Sequence, residues 1–172
     1  MRAKILLILF VTIGLSINST AQINNGDMES ITNPNWPWKL DINNTDKTST
    51  PGAATMSYES YSAPGSGHFL QVVVSAANID EPWNLRVKQG NVLVESDNTK
   101  ITFKAKGSKG GESLIIRFEG DGKTKPQDKF NLTTTWTEYE LELPATFQGT
   151  KNTLSFRLQS VGIYQFDEVV LK

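Results

Sequence analysis

Along most of the chain, apolar and polar residues alternate with a period of two, in short runs broken by Gly, Pro, Asn, Asp and Ser. Such alternation marks half-buried β-strands. The clearest runs are HFLQVVV (68–74), WNLRVKQ (83–89), KITFKAK (100–106), SLIIRFE (113–119), TEYELEL (137–143), TLSFRLQ (153–159) and YQFDEVVL (164–171). Connectors include GSKGGE (107–112) and GDGKTKPQD (120–128). No internal repeat, heptad pattern or amphipathic helix interrupts the series. Strands at this spacing predict an all-β fold, a sandwich or a barrel. The stretch from Asn25 to Gly67 differs. It is rich in Asn, Thr, Ser and Pro, with aromatics at Trp36, Trp38, Tyr58 and Tyr61. A segment of that length is not an empty loop in a compact domain. It is expected to hold one or two short strands plus loops that bind ligand or metal.

The alternation also assigns faces, because successive side chains in a strand point to opposite sides. Leu85 and Val87, Ile101, Phe103 and Ala105, Leu114, Ile116 and Phe118, and Leu154, Phe156 and Leu158 form the core set. The opposite set is polar and cationic: Arg86, Lys88, Lys104, Arg117, Arg157 and Gln159. Solvated sheet faces need polar residues in any case, and Lys104 and Lys106 are read as solubility groups. Arg86, Arg117, Arg157 and Gln159 carry more information. Their planar, multi-donor groups suit two-point contacts with hydroxyl pairs or carboxylates.

The first residues fall outside this pattern. Arg2 and Lys4 precede an apolar run, Ile5 to Leu15, then polar residues and Ala21. This is the layout of a secretory signal peptide over 1–21, cut before Gln22, and the run is too short for a membrane span of about 20 residues. Residues 22–172 are then one exported domain, secreted or periplasmic. There is no Cys, so no lipid-attachment site, disulfide or thiol nucleophile is available. A single histidine, His68, rules out a His-cluster zinc site. It begins a strand after small residues, a structural position. Without Arg2 and Lys4 the net charge falls near −3, which argues against nucleic acid as a partner.

Four segments in order are similar to the carbohydrate-binding modules of families 4, 9, 16 and 22, which are galactose-binding-like β-sandwich jelly rolls. NGDMES resembles the family opening N-G-D-F-E, and PWNLRVKQ the W-x-x-Q-L segment. TTTWTEYELELP resembles T-x-x-W-T-x-Y-x-x-x-F/L, and YQFDEVVLK the closing I-D-D-V-x-L. Together they cover nearly all of the mature chain. The resemblance implies a monomeric, non-catalytic module that binds a polysaccharide or oligosaccharide in a groove on one sheet. It also implies a structural calcium near the meeting point of the first and last strands, held by Glu29 and Asp167, with Asp27 a lesser candidate and carbonyls from a loop between Asp41 and Ser49. Calcium takes six to eight hard oxygen ligands.

The chain departs from the family at the groove. Arg86 stands where the family has its binding Gln, with Arg117, Arg157 and Gln159 expected on the same face. That points to an acidic glycan bearing uronates or sulfates. For the aromatics, Trp136 is read as structural, Trp83 as core or rim, and one of Trp36 and Trp38 as a core plug. Trp36 and Tyr61 are the preferred groove liners, ahead of Trp38. Two other functions compete. A surface or matrix adhesion protein would use the fold for protein contacts. A small glycosidase or lyase would need paired carboxylates, or a base beside an arginine. Glu119 and the exposed set Glu138, Glu140 and Glu142 are the acids on offer, and Arg117 with Tyr164 the one base–arginine pairing, with no motif behind it.

Overall fold

The computed structural model describes residues 23–31, 37–43, 52–63, 66–77, 84–120, 125–147 and 151–172. Among them are ten strands: β1 (Lys39–Ile42), β2 (Ala53–Ser60), β3 (His68–Ala76), β4 (Leu85–Leu93), β5 (Lys100–Gly107), β6 (Ser113–Glu119), β7 (Gln127–Asn131), β8 (Thr137–Glu142), β9 (Lys151–Leu158) and β10 (Gly162–Leu171). They form two five-stranded antiparallel sheets, ordered β1-β4-β9-β6-β7 and β2-β3-β10-β5-β8. The fold is a β-sandwich of the jelly-roll kind, as the alternation predicts. Each of the seven sequence runs corresponds to a strand, to within one or two residues at its ends among the described residues. The Asn25–Gly67 stretch supplies β1 and β2. β7 occupies the end of what the sequence reads as a connector, because QDKFN has no clean alternation to announce it.

Between the sheets lies one continuous core. Phe156 of the first sheet stacks on Phe166 of the second with ring centroids 4.7 Å apart, and Phe103 lies 5.0 Å from Phe156. Trp38 is the core plug of the Trp36/Trp38 pair: its ring is 1% exposed, lies 5.7 Å from Phe156, and its Nε1–H donates to the Asn25 carbonyl. Trp36 and Trp83 lie outside the described residues.

The first described segment meets the last strand, as the resemblance implies. The N-terminal segment 23–31 buries Ile23 and Met28 in the core. It receives a hydrogen bond from the Val169 N–H at the Gly26 carbonyl, 2.8 Å. Opposite it, β10 carries a bulge between Asp167 and Val170, where Glu168 takes φ 47°. A bulge bends the strand and re-aims its side chains. A second bulge interrupts β4 between Gln89 and Val92, with Asn91 at φ 59°.

Candidate functional site: the outer face of the first sheet

Strand register decides which polar side chains meet. On the outer face of the first sheet, Asp41 of β1 pairs with Arg86 of β4, Arg86 with Arg157 of β9, and Arg157 with Ile115 of β6. The next row runs Lys39, Lys88, Ser155, Arg117 and Gln127. Gln159 closes the far end, its Oε1 accepting from the Ser113 hydroxyl at 3.1 Å. The face therefore brings together Arg86, Arg117, Arg157 and Gln159. Lys104 does not belong with them. It sits on β5 of the second sheet, where it pairs with Glu168 at 2.7 Å.

Two of these cross-strand pairs join like charges directly: Lys39 with Lys88, and Arg86 with Arg157. Like charges placed opposite each other destabilise a sheet by roughly 0.2–1 kcal/mol per pair. Departures of this kind from local rules are characteristic of functional sites. Two carboxylates offset the cost, and the sequence alone did not mark them as partners. Asp41 Oδ2 accepts from both Arg86 and Lys88 at 2.7 Å. Its carboxyl is held below the ordinary value, first by the Lys88 hydrogen bond and then by the Arg86 guanidinium, against the opposing effect of burial. Glu119 pairs with Arg157 and lies 3.5 Å from Arg117 Nε. The Arg117 Nη1–H donates to Gln127 Oε1 at 3.3 Å. Burial lowers the Arg157 pKa, opposed by its bond to Glu119, and the Arg157 side chain is only 9% exposed. KLDI, four residues long, was too short for its alternation to place Lys39 and Asp41 on this face.

A depression of about 550 Å³ crosses the face beside the β4 bulge, a volume in the ordinary range for ligand sites. Lys39, Arg86, Lys88, Glu119 and Thr153 line it from the sheet, and Asn24, Pro37 and the bulge residues Gln89, Gly90 and Asn91 form its wall. The wall is held by a two-point clamp. Gln89 accepts from the Asn24 N–H at 2.8 Å and donates to the Asn24 carbonyl at 2.9 Å.

Tyr61 is not part of this face, which corrects its reading as a groove liner. It follows β2 and packs over the second sheet, 5.0 Å from Phe69 and 5.7 Å from Trp136. Phe69 and Trp136 complete the cluster at 5.7 Å, and the Lys106 ammonium stands 5.2 Å over the indole. Phe69 is 9% exposed, while Trp136 is half-buried. Tyr164 cannot serve with Arg117 either. It is buried in the core, its hydroxyl donating to the Ser113 carbonyl, while Arg117 points outward from the other sheet. Glu138 and Glu140 are exposed and paired with Lys172 and Lys100, the solvated face the sequence indicates.

The carboxylates expected to hold calcium are divided. Glu29 accepts from the His68 N–H at 2.8 Å and contacts His68 Nδ1 at 3.2 Å, so His68 has the structural role its position implies. Asp167 is 7% exposed, accepts from the Tyr61 hydroxyl at 2.5 Å and from the Glu168 N–H at 2.7 Å. Burial raises its pKa from the ordinary value, opposed by the hydrogen bonds from Tyr61 and the Glu168 N–H and reinforced by the nearby charges of Glu168 and Glu29. Among the described residues, Asp27 accepts a hydrogen bond only from the Glu29 N–H. Among the described residues, no group of three or more His, Cys, Asp or Glu side chains gathers closely enough to hold a metal ion. Carbonyl ligands are expected from a loop between Asp41 and Ser49, and beyond Asn43 that loop lies outside the described residues. The described carboxylates by themselves do not complete a calcium shell.

The sequence matches no protein-family model and no curated protein. Among solved structures, 89 chains match. One, described as a study of CBM4 structure and function, is 20% identical with a TM-score of 0.67, covering 88% of this chain and 99% of its own. A family 61 module solved with β-1,4-galactotriose is 13% identical with a TM-score of 0.57, covering 89% and 97%. A family 11 module from Clostridium thermocellum, bound to a mixed-linked tetrasaccharide, is 12% identical with a TM-score of 0.56, covering 83% and 90%. Among the described residues, no helix is long and apolar enough to cross a membrane. The chain has the β-sandwich fold of the carbohydrate-binding modules.

Proposed function

We propose that this protein is an exported, non-catalytic module that binds a polysaccharide across the outer face of β1-β4-β9-β6-β7, and that its ligand is an acidic glycan. One observation carries the reading. Arginines and lysines from neighbouring strands are set against each other on a single face, around an open depression, with two carboxylates among them as counter-charges. Sugar hydroxyls and ring carboxylates are suitable partners for such forked donors. No described aromatic lies on this face, so hydrogen bonds and charge carry the contact among the described residues, with Trp36 and Trp83 as the stacking candidates beyond them. The solved modules of this fold bind oligosaccharides according to their descriptions, which supports the same ligand class here.

Binding without catalysis fits the two carboxylates. Both are committed to cationic partners, and Asp41 is held in its charged form. A glycosidase acid needs the opposite shift. Affinity electrophoresis against neutral and acidic polysaccharides tests the reading. Retardation by uronate- or sulfate-bearing polymers, lost in Arg86→Ala, is expected. Retardation by neutral glucan or xylan alone would leave a glycan-binding module and discard the acidic ligand. No retardation by any polymer would transfer the weight to protein adhesion.

Calcium bridging Glu29 and Asp167 belongs to the same proposal. It is supported by the buried Asp167 carboxylate, whose ionisation burial opposes, on a strand that the N-terminal segment carrying Glu29 meets; the further oxygens would have to come from the loop between Asp41 and Ser49. Export rests on Arg2, Lys4, the apolar run and Ala21. The mass of the protein released by its native cell should correspond to a chain beginning at Gln22, and an intact Met1 would contradict that.

A further inference from the structure

We propose that the β1–β4 end of the depression is an anion subsite in which Lys39, Arg86 and Lys88 seat one carboxylate or sulfate group of the glycan, and in which Asp41 is a built-in counter-ion that sets the selectivity. The inference rests on the glycan-binding reading of this face. It goes further by dividing the cationic residues into those that meet ligand and those that build the floor.

The division follows from what each cation already holds. Arg157 is almost buried and committed to Glu119, and Arg117 is shared between Glu119 and Gln127. Neither lines the depression. Lys39, Arg86 and Lys88 all do. At their end, Arg86 and Lys88 are bound by one oxygen of one carboxylate, Asp41 Oδ2. Lys39 is exposed, stands directly opposite Lys88, and forms no ion pair among the described residues. Two cations thus share one internal carboxylate and a third stands beside Lys88 without an ion pair among the described residues, leaving an excess of positive charge that a ligand anion would neutralise. Asn24, Asn91 and Thr153, on the same lining, provide neutral donors and acceptors for the sugar's hydroxyls. Asp41 competes with the ligand for Arg86 and Lys88, so it weakens binding of every anion while leaving the cations oriented. Only a ligand that brings its own well-placed charge gains fully from the site.

Calorimetric titration of the whole protein tests this with three oligosaccharides of equal length: a uronate, a neutral counterpart and a sulfated neutral chain. Lys39→Ala and Lys88→Gln are each expected to lower the ratio of acidic to neutral affinity about tenfold, the worth of one charge-assisted hydrogen bond. Asp41→Asn is expected to raise acidic affinity about threefold and to steepen its dependence on salt. Preference for the uronate or for the sulfated chain identifies which anion the subsite takes, and either supports it. An unchanged ratio in both lysine variants, with acidic binding intact, overturns the subsite and leaves the glycan-binding reading standing. Wild-type protein that binds the neutral chain alone overturns both the subsite and the acidic ligand. Wild-type protein that binds none of the three overturns the proposed function itself.

Discussion

At the residue scale, side chains of one chemical type on one face have different work to do. Removing the nearly buried Arg157 side chain leaves Glu119 with Arg117 alone, and Arg157→Ala is expected to cost about 1.5–3 kcal/mol of stability, measured by urea unfolding. Lys39→Ala should cost less than about 1 kcal/mol, as exposed charges do. Equal losses would contradict the division between floor and ligand contacts. Asp41 adds a pH signature. Its folded-state pKa is depressed, so its pairing contributes stability above its ordinary value of 3.8 and loses it as pH falls through the lower folded value. Asp41→Asn should therefore flatten stability against pH below about 4. The alternation was enough to place Arg86, Arg117, Arg157 and Gln159 outward, because side-chain direction in a strand is a local property. Their partners were not legible. Asp41 lies in a strand of four residues, and that Glu119 reaches Arg157 depends on register between strands far apart in sequence. Tyr61 was misplaced for a similar reason. An aromatic residue following a strand carries no local sign of which sheet it will cover.

At the element scale, the N-terminal segment links the two candidate sites. Gln89 clamps it to the β4 bulge at the depression wall, and Gly26 accepts from Val169 beside the β10 bulge. A methyl group at Gly26 would collide with the Val169 carbonyl oxygen. Gly26→Ala is expected to lower the melting temperature by several degrees, roughly 1–3 kcal/mol of overpacking strain. No change would mean the segment is not docked as described. The calcium proposal is tested at the same junction. Because the Asp167 pKa is raised in the folded protein, its contribution to stability is full at low pH and is lost as pH rises through the folded value. At neutral pH its ionised form is therefore a cost that a cation would relieve. Asp167→Asn should raise the melting temperature in chelator, and calcium should raise that of the wild type but not of the variant. A wild-type melting temperature indifferent to calcium would sink the clamp. Seven strands were readable from period-two patterns, whereas β7 was not. An edge strand with one side exposed needs no apolar alternation to hold its place.

At the scale of the whole molecule, core and ligand face are two sides of the same alternation. Every strand of the first sheet that sends Leu, Val or Phe inward sends a charged or polar residue outward. Packing the inner face against the second sheet therefore assembles the cationic outer face without further instruction. That is why the fold and the general position of the site were legible in the sequence. The identity of the anion-contacting residues depended on which cations had already found partners, and that became visible only in three dimensions. The central claim is that a glycan lies on the outer face of β1-β4-β9-β6-β7. Backbone amide NMR shifts on titration with an acidic oligosaccharide test it most directly. Perturbations concentrated at Lys39, Arg86, Lys88, Asn91 and Thr153 are predicted. Perturbations confined to the second sheet around Phe69, Gln71 and Trp136, or none at saturating ligand, would contradict it.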